Sequence, residues 1–198
     1  MPHLPLNIDV RGMIVLVAGG GTVATRKIGA LLSAGATIQV VAPQVSPQIS
    51  QLEESGVIKV LFDRYHDSHL MNIFLVVAAT NDAQINQKIA IDAHQRGVLV
   101  TVTDAPQSGN CIFPAVLRRG DLEISISSNG KYPGYAAEIR KLLAHLIGEE
   151  YGFLLETLST EREKLLTAGL NNTYNKQVLR SRARELINEL NTHKERVP

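Results

Sequence analysis

Gly19-Gly20-Gly21 is followed by Thr22, Val23 and Ala24, and the string satisfies G-x-G-x-x-A. Each position has its own physical reason. Gly19 permits a tight turn out of a strand, Gly21 lets a pyrophosphate approach the backbone, and Ala24 lets the following helix pack close to a sheet. Backbone N–H groups at the start of that helix have no intrahelical partner and bind phosphate oxygens. The chemistry is nucleotide binding, and it requires a strand before the glycines and a helix after them. An acidic residue that bonds the ribose hydroxyls normally ends the second strand. Here that end reads Val41-Ala42-Pro43-Gln44, with no acid and no arginine. Backbone around Pro43 and the Gln44 amide are the substitutes, and spacing leaves NAD and NADP both open.

Three polar groups fall where later strands end: Thr80-Asn81-Asp82, Asp104, and Ser127-Ser128-Asn129-Gly130. Asp104 is the candidate for chemistry. A carboxylate at that edge accepts a proton as hydride leaves, or holds substrate N–H groups. Its plain alternative is an Asx-turn before Pro106, which on spacing alone has the stronger claim. Asp82 reads as a helix cap. Ser127 and Ser128 either bind carboxylates or form the turn. His66 and His69 lack a third metal ligand at a convincing position, so all six histidines, at 3, 66, 69, 94, 145 and 193, read as surface residues and no metal site is expected. Cys111, without a partner base in sequence, reads as a buried small hydrophobe.

The elements that must position these groups follow from the hydrophobic pattern. Apolar, β-branched runs at 13–18, 37–42, 57–62, 73–79 and 98–103 read as strands buried on both faces. Helical patterns lie between them: one with Ala24, Ile28, Leu31 and Leu32 on one face and Gly35 as its stop, one capped by Ser46 and closed by Gly56, and one running from Asn81 or Asp82 to Arg96 with Gly97 behind it. Strands alternating with helices imply a doubly wound parallel sheet, and the Gly-rich first turn makes it a Rossmann-type α/β fold. Beyond residue 103 the pattern changes. Segments 113–118 and 122–127 read as a β-hairpin about Arg119-Gly120-Asp121, and from about Gly134 the chain reads as helices. The expected divisions are a nucleotide-binding domain at 1–111, a hairpin region at 112–148 and a helical segment at 149–198. The helices need a partner surface, for which a second copy of the chain is the candidate.

Composition narrows the partners. The net charge is +1, and both signs are spread through residues 153–198, so no strong field draws the chain to nucleic acid or an anionic membrane. The longest apolar runs fall far short of a membrane span. One cysteine cannot form an intrachain disulfide, and the first twenty residues lack a signal-peptide pattern. The expected location is the cytoplasm.

The motifs in order resemble the precorrin-2 dehydrogenases, including the N-terminal module of bacterial siroheme synthase. The resemblance is carried by Leu4-Pro5, the string from Gly19 through Thr25-Arg26-Lys27, and Val41-Ala42-Pro43. It continues through Ala78-Ala79-Thr80-Asn81-Asp82 with Asn86, Asp104-Ala105-Pro106, Phe113-Pro114-Ala115 and Ser125-Ile126-Ser127-Ser128-Asn129-Gly130. Order and spacing hold over residues 4–148. The resemblance implies NAD-dependent oxidation of precorrin-2 to sirohydrochlorin in siroheme biosynthesis, with some members also inserting ferrous iron. It implies that Asp104 is catalytic, and that Gly19, Gly20, Gly21, Thr22, Val23, Pro43, Gln44 and Thr80 hold NAD. It implies a homodimer formed through the hairpin and helices. Ser128 matches a serine that is phosphorylated in some fused synthases and lies near the tetrapyrrole. Ser128, Asn129, Gly130, Arg118 and Lys131 are the expected substrate contacts, with Arg119 a further partner for carboxylates. Three departures lie on the expected tetrapyrrole side: Thr101 for a usual Asn, Asn129 for a common Gly, and Lys131-Tyr132-Pro133 for a small-residue run. No methyltransferase module follows in this chain, so the preceding methylation is expected of another protein. Competing readings are a dehydrogenase that is also a ferrochelatase, a nucleotide-sensing regulatory domain, and a non-catalytic tetrapyrrole carrier.

Overall fold

The computed structural model describes residues 3–167 and 172–196. They fall into two compact units divided between Phe113 and Pro114, with Asn129–Lys131 belonging to the first.

The first unit is built on a parallel sheet. Its strands are β1 (Ile14–Ala18), β2 (Thr37–Val41), β3 (Lys59–Leu61), β4 (Leu75–Ala78) and β5 (Leu99–Val102), in the order β3-β2-β1-β4-β5. The intervening helices are α1 (Thr22–Ser33), α2 (Pro47–Glu54) and α3 (Ala83–Arg96). Alternate side chains of β1 enter opposite cores. Val15 and Val17 pack with Ala24, Ile28 and Leu31 of α1 and Ile49 of α2. Leu16 and Ala18 pack with Ile89, Ala90 and Ala93 of α3. This double burial explains why the strands read as continuous apolar runs. Each large side chain removed from water here contributes about 1.5–3 kcal/mol.

Helix ends follow local chemistry. Asp82, rather than Asn81, caps α3 by accepting N–H bonds from Gln84 at 2.8 Å and Ile85 at 3.2 Å. Gly97 closes that helix in the left-handed region at φ 67°. Ser46 caps α2, with Pro47 as its first residue.

Two sequence expectations change. The run at 57–62 gives only the three residues of β3, because β3 is an edge strand paired to β2 alone, and Phe62 is exposed. His69 is only partly exposed, its side chain at 15%. A single 3₁₀ turn, Asp67–Leu70, folds its ring back so that Nδ1 accepts the His66 backbone N–H at 3.0 Å. The side chain of His193 lies outside the described residues. Sequence gave no sign of how the edge of β5 is closed. The Asn110 amide accepts from Val100 N–H at 2.7 Å and donates to the Val98 carbonyl at 3.3 Å, in place of a sixth strand.

The second unit holds the hairpin of β6 (Ala115–Arg119) and β7 (Leu122–Ile126), then α4 (Pro133–Leu146), α5 (Glu150–Thr167) and α6 (Asn172–Arg196). Gly120 turns the hairpin at φ 55°. Arg119 ties the hairpin to the end of α4, donating to the carbonyls of Ile147 at 2.8 Å and Ala144 at 3.1 Å. Among the described residues this unit buries little, chiefly Leu117 and Ala136, while Leu142, Leu146 and Phe153 stand exposed. No described helix is long and apolar enough to cross a membrane.

Candidate active site

The sheet order reverses between β1 and β4, and ligands of open α/β sheets bind in the crevice at such a switch point. A cavity of about 820 Å³ opens there, along the carboxyl ends of β1, β2 and β4. Every cofactor residue chosen from the sequence lines it: Gly19 through Val23 from the β1–α1 turn, Pro43 and Gln44 after β2, and Thr80 after β4.

The three glycines differ in what they face. Gly19 has φ 123°, and a Cβ there would strike the carbonyl of Ala79. A Cβ on Gly20 would strike the carbonyl of Gln44. The G-x-G-x-x-A pattern assigns no role to that middle position, yet close passage of the β2–α2 connection requires glycine. A Cβ on Gly21 would meet nothing within 4 Å, so this backbone faces open space on the cavity side. α1 starts at Gly21 without a side-chain cap, leaving its first N–H groups for a ligand. Concavity, bare helix start and uncovered Gly21 backbone together fit a dinucleotide pyrophosphate.

Asp63, Arg64 and Tyr65 also line this cavity, and sequence reasoning missed them. Their position after the third strand of a parallel sheet was the available signal. The Tyr65 hydroxyl donates to Asp92 at 3.1 Å, and burial with the Asp92 charge pushes its pKa upward. The Arg64 side chain makes no hydrogen bond or ion pair among the described residues.

Asp104 lies just past the last ladder bond of β5, where the Thr103 N–H and Oγ–H both point to the Ala78 carbonyl, at 3.0 and 3.1 Å. Its Oδ1 accepts from Asn86 Nδ2 at 3.0 Å. Asn86 in turn accepts from the N–H and Oγ of Thr80, at 3.1 and 2.7 Å, and donates to the Thr80 carbonyl at 3.2 Å. The network therefore runs from the wall of the cavity to the aspartate. Asn86 is 1% exposed, and it lies at helical spacing with Ile89, Ala90 and Ala93. A polar residue on that apolar stripe was a legible signal.

A second cavity of about 520 Å³ lies in the same unit. Asn129, Gly130 and Lys131 line it together with His3, Pro106, Gln107, Gly109 and Ile112. Asn129 adopts φ 51°, a conformation that suits glycine and that Asn tolerates best among other residues. The exchange of Gly for Asn therefore preserves the turn. Thr101 is 6% exposed and lines neither cavity, so this departure sits inside the sheet rather than on an open face. In the second unit, Ser128 Oγ accepts the Tyr132 N–H at 3.2 Å. Arg118 pairs with Glu123 across the hairpin at 2.8 Å. Arg119, offered by sequence as a carboxylate partner, has its guanidinium engaged in capping α4.

Lys27 of the Arg26-Lys27 pair holds Nζ 4.2 Å from the centre of the Phe113 ring, and burial, then the charge of Arg26, lowers its pKa. Cys111 packs against the same core, and burial pushes its thiol up to about 11. Among the described residues no three His, Cys, Asp or Glu side chains are grouped as a metal site.

A family model for NAD(P)-binding domains matches residues 6–115. A solved structure of SirC, precorrin-2 dehydrogenase, superposes with a TM-score of 0.78 at 30% identity, covering 96% of this chain and 99% of that one. The chain belongs to the precorrin-2 dehydrogenase family. The siroheme synthase of Chromobacterium violaceum is 40% identical over 163 residues, which cover 82% of this chain and 35% of that protein. The siroheme synthase of Photorhabdus laumondii is 36% identical over 165 residues, with 83% and 35% covered. The chain thus spans about a third of the length of the curated synthases it matches, and its similarity to this dehydrogenase family runs through both of its units.

Proposed function

We propose that this chain oxidises precorrin-2 to sirohydrochlorin with NAD. The observation that carries the reading is the single cavity at the β1–β4 switch point, linked through Asn86 to the carboxylate of Asp104, in a chain of the precorrin-2 dehydrogenase family. The dinucleotide, when bound, supplies the hydride acceptor. The N–H groups at the start of α1 bind its pyrophosphate beside Gly21. Pro43 and Gln44 hold the adenosine side, and Thr80 borders the opposite wall. Two electrons and one proton leave the tetrapyrrole together as hydride, and Asp104 takes the second proton lost. In the first unit Lys131, beside Asn129 and Gly130 on the wall of the second cavity, offers a positive charge to substrate carboxylates. In the second, Ser128 and Arg118 are proposed contacts. NAD rather than NADP rests on the likeness of Pro43 and Gln44 to the family's cofactor positions, and Arg64 on the cavity wall makes both dinucleotides part of the test. The proposed assembly is a homodimer, favoured by exposed Leu142, Leu146 and Phe153, and the proposed location is the cytoplasm.

The test is anaerobic conversion of precorrin-2, followed by sirohydrochlorin absorbance, with NAD and NADP in parallel. NAD-dependent turnover that collapses in Asp104→Ala, with dinucleotide binding intact, is the expected result. Tight dinucleotide binding without turnover in the wild type overturns the dehydrogenase reading and leaves a carrier or sensor. Adding ferrous iron to the same reaction tests the second step.

A further inference from the structure

We infer that Asn86 is the residue that positions Asp104, holding one carboxylate oxygen so that the other receives the proton. This rests on the proposed base role of Asp104. The argument is one of hydrogen-bond valence. An Asn side chain has two donor hydrogens and two acceptor lone pairs. Both ends of Asn86 are engaged: Oδ1 accepts from the Thr80 N–H and lies 2.7 Å from Thr80 Oγ, whose one hydrogen is shared with the Asp82 carbonyl at 3.0 Å, and Nδ2 donates to the Thr80 carbonyl and to Asp104 Oδ1. A backbone N–H only donates and a backbone carbonyl only accepts, so Thr80 fixes which end of the amide is which. The remaining N–H must therefore point at Asp104, and Asp104 Oδ1 must accept it. A proton on Oδ1 directed at Asn86 would face another hydrogen. Oδ2, with no partner among the described residues, is the oxygen that takes the proton.

The amide is enclosed and bonded at both ends. Asn86 is 1% exposed, and its helix is capped four residues earlier by Asp82. Thr80 borders the dinucleotide cavity, so one amide ties the cofactor wall to the base. Asn86 touches neither cofactor space nor substrate space itself, and acts only through its neighbours.

The test is a swap. Asn86→Asp keeps acceptors for Thr80 but sets a second carboxylate against Asp104. Its expected melting temperature falls by about 2–8 °C. Adding Asp104→Asn, which now donates where it formerly accepted, restores the share of that loss due to the Asp104 contact, while the bond to the Thr80 carbonyl stays lost. Failure of the second substitution to restore any of it overturns the pairing, whether or not the protein turns over substrate. In kinetics, Asn86→Asp lowers kcat by about 10- to 100-fold, while NADH affinity by fluorescence titration stays within about threefold. Asn86→Ser, whose shorter hydroxyl does not span both partners, lowers kcat likewise. In an Asp104→Ala background neither substitution lowers kcat further, as expected of groups acting as one unit. Wild-type kcat in Asn86→Asp, or an undiminished further loss in the Asp104→Ala background, overturns the positioning role. Full turnover in Asp104→Ala overturns the base reading instead, and leaves the melting-temperature result to judge the pairing alone.

Discussion

The carbonyl oxygen of Gln44 occupies the space where a side chain on Gly20 would begin, whereas Gly21, one residue on, faces nothing within 4 Å. Neighbouring glycines of one motif thus meet different surroundings, one the fold and one open space where the proposed ligand would lie. Gly20→Ala is expected to cost about 1–3 kcal/mol by forcing the β2–α2 connection outward, seen as a lower melting temperature. Gly21→Ala leaves the melting temperature nearly unchanged but weakens dinucleotide binding about tenfold or more, measured by NADH fluorescence. The reverse pattern would sink this division of roles.

Asn110 substitutes for an edge strand along β5. Its replacement by Ala leaves the Val100 N–H and the Val98 carbonyl without their partner. The expected cost is about 1–3 kcal/mol, read by chemical denaturation, together with faster amide exchange at Val100. Unchanged exchange there would show that residues 109–111 close the edge through backbone alone.

Cys111 should be slow toward thiol reagents in the folded chain. Burial raises its thiol from 9.0 to about 11, so at pH 8 the thiolate fraction is about a hundredfold below that of the unfolded chain. The raised value also fixes a sign. The neutral form is favoured by folding, so the stability it contributes is complete below pH 9.0 and is lost as pH climbs through about 11. The stability advantage of wild type over Cys111→Ala is therefore expected to shrink across that window, measured by urea titrations at several pH values. An advantage that grows with pH would reverse the assignment.

Arg118 and Arg119 are adjacent in sequence and opposite in consequence. Arg119→Ala removes bonds to two carbonyls at the end of α4 and is expected to cost about 1.5–3 kcal/mol. Arg118→Ala breaks a half-exposed pair with Glu123 and costs under about 1 kcal/mol. If Arg118 meets substrate carboxylates as proposed, its loss raises the KM for the tetrapyrrole with kcat little changed. An unaltered KM removes Arg118 from the substrate contacts.

The fold was legible where burial is uniform. β1 and β4 are covered on both faces and are unbroken apolar runs, while β2 and β5 keep the apolar pattern around Gln39 and Thr101. β3 was legible only in outline, because an edge strand of three residues carries too little apolar signal to set its ends. The turn at Gly19 and Gly20 on the cavity wall was legible because glycine leaves a literal trace wherever backbones approach. The backbone bonds of Asn86, Asn110 and Arg119 were not foreseen, though Asn86 stood in the family motif and Arg119 among the carboxylate partners, since a polar side chain spent on backbone groups looks in sequence like any solvated one. Only Asn86 betrayed itself, by standing on the apolar stripe of α3. Arg64 was overlooked for another reason: its loop follows no motif, and its place after the third strand of a parallel sheet was the one signal for it.

α1 begins with uncapped N–H groups, where a typical helix start is satisfied by Ser, Asp, Asn or Thr. A pyrophosphate bound there as proposed would complete that helix as a side chain does elsewhere, so ligand and fold would share one free-energy balance. At a free dinucleotide concentration a hundred times its dissociation constant, the folded chain gains about 2.7 kcal/mol. Resistance of the purified chain to proteolysis is therefore expected to rise with dinucleotide concentration if the proposed site is the one that binds it.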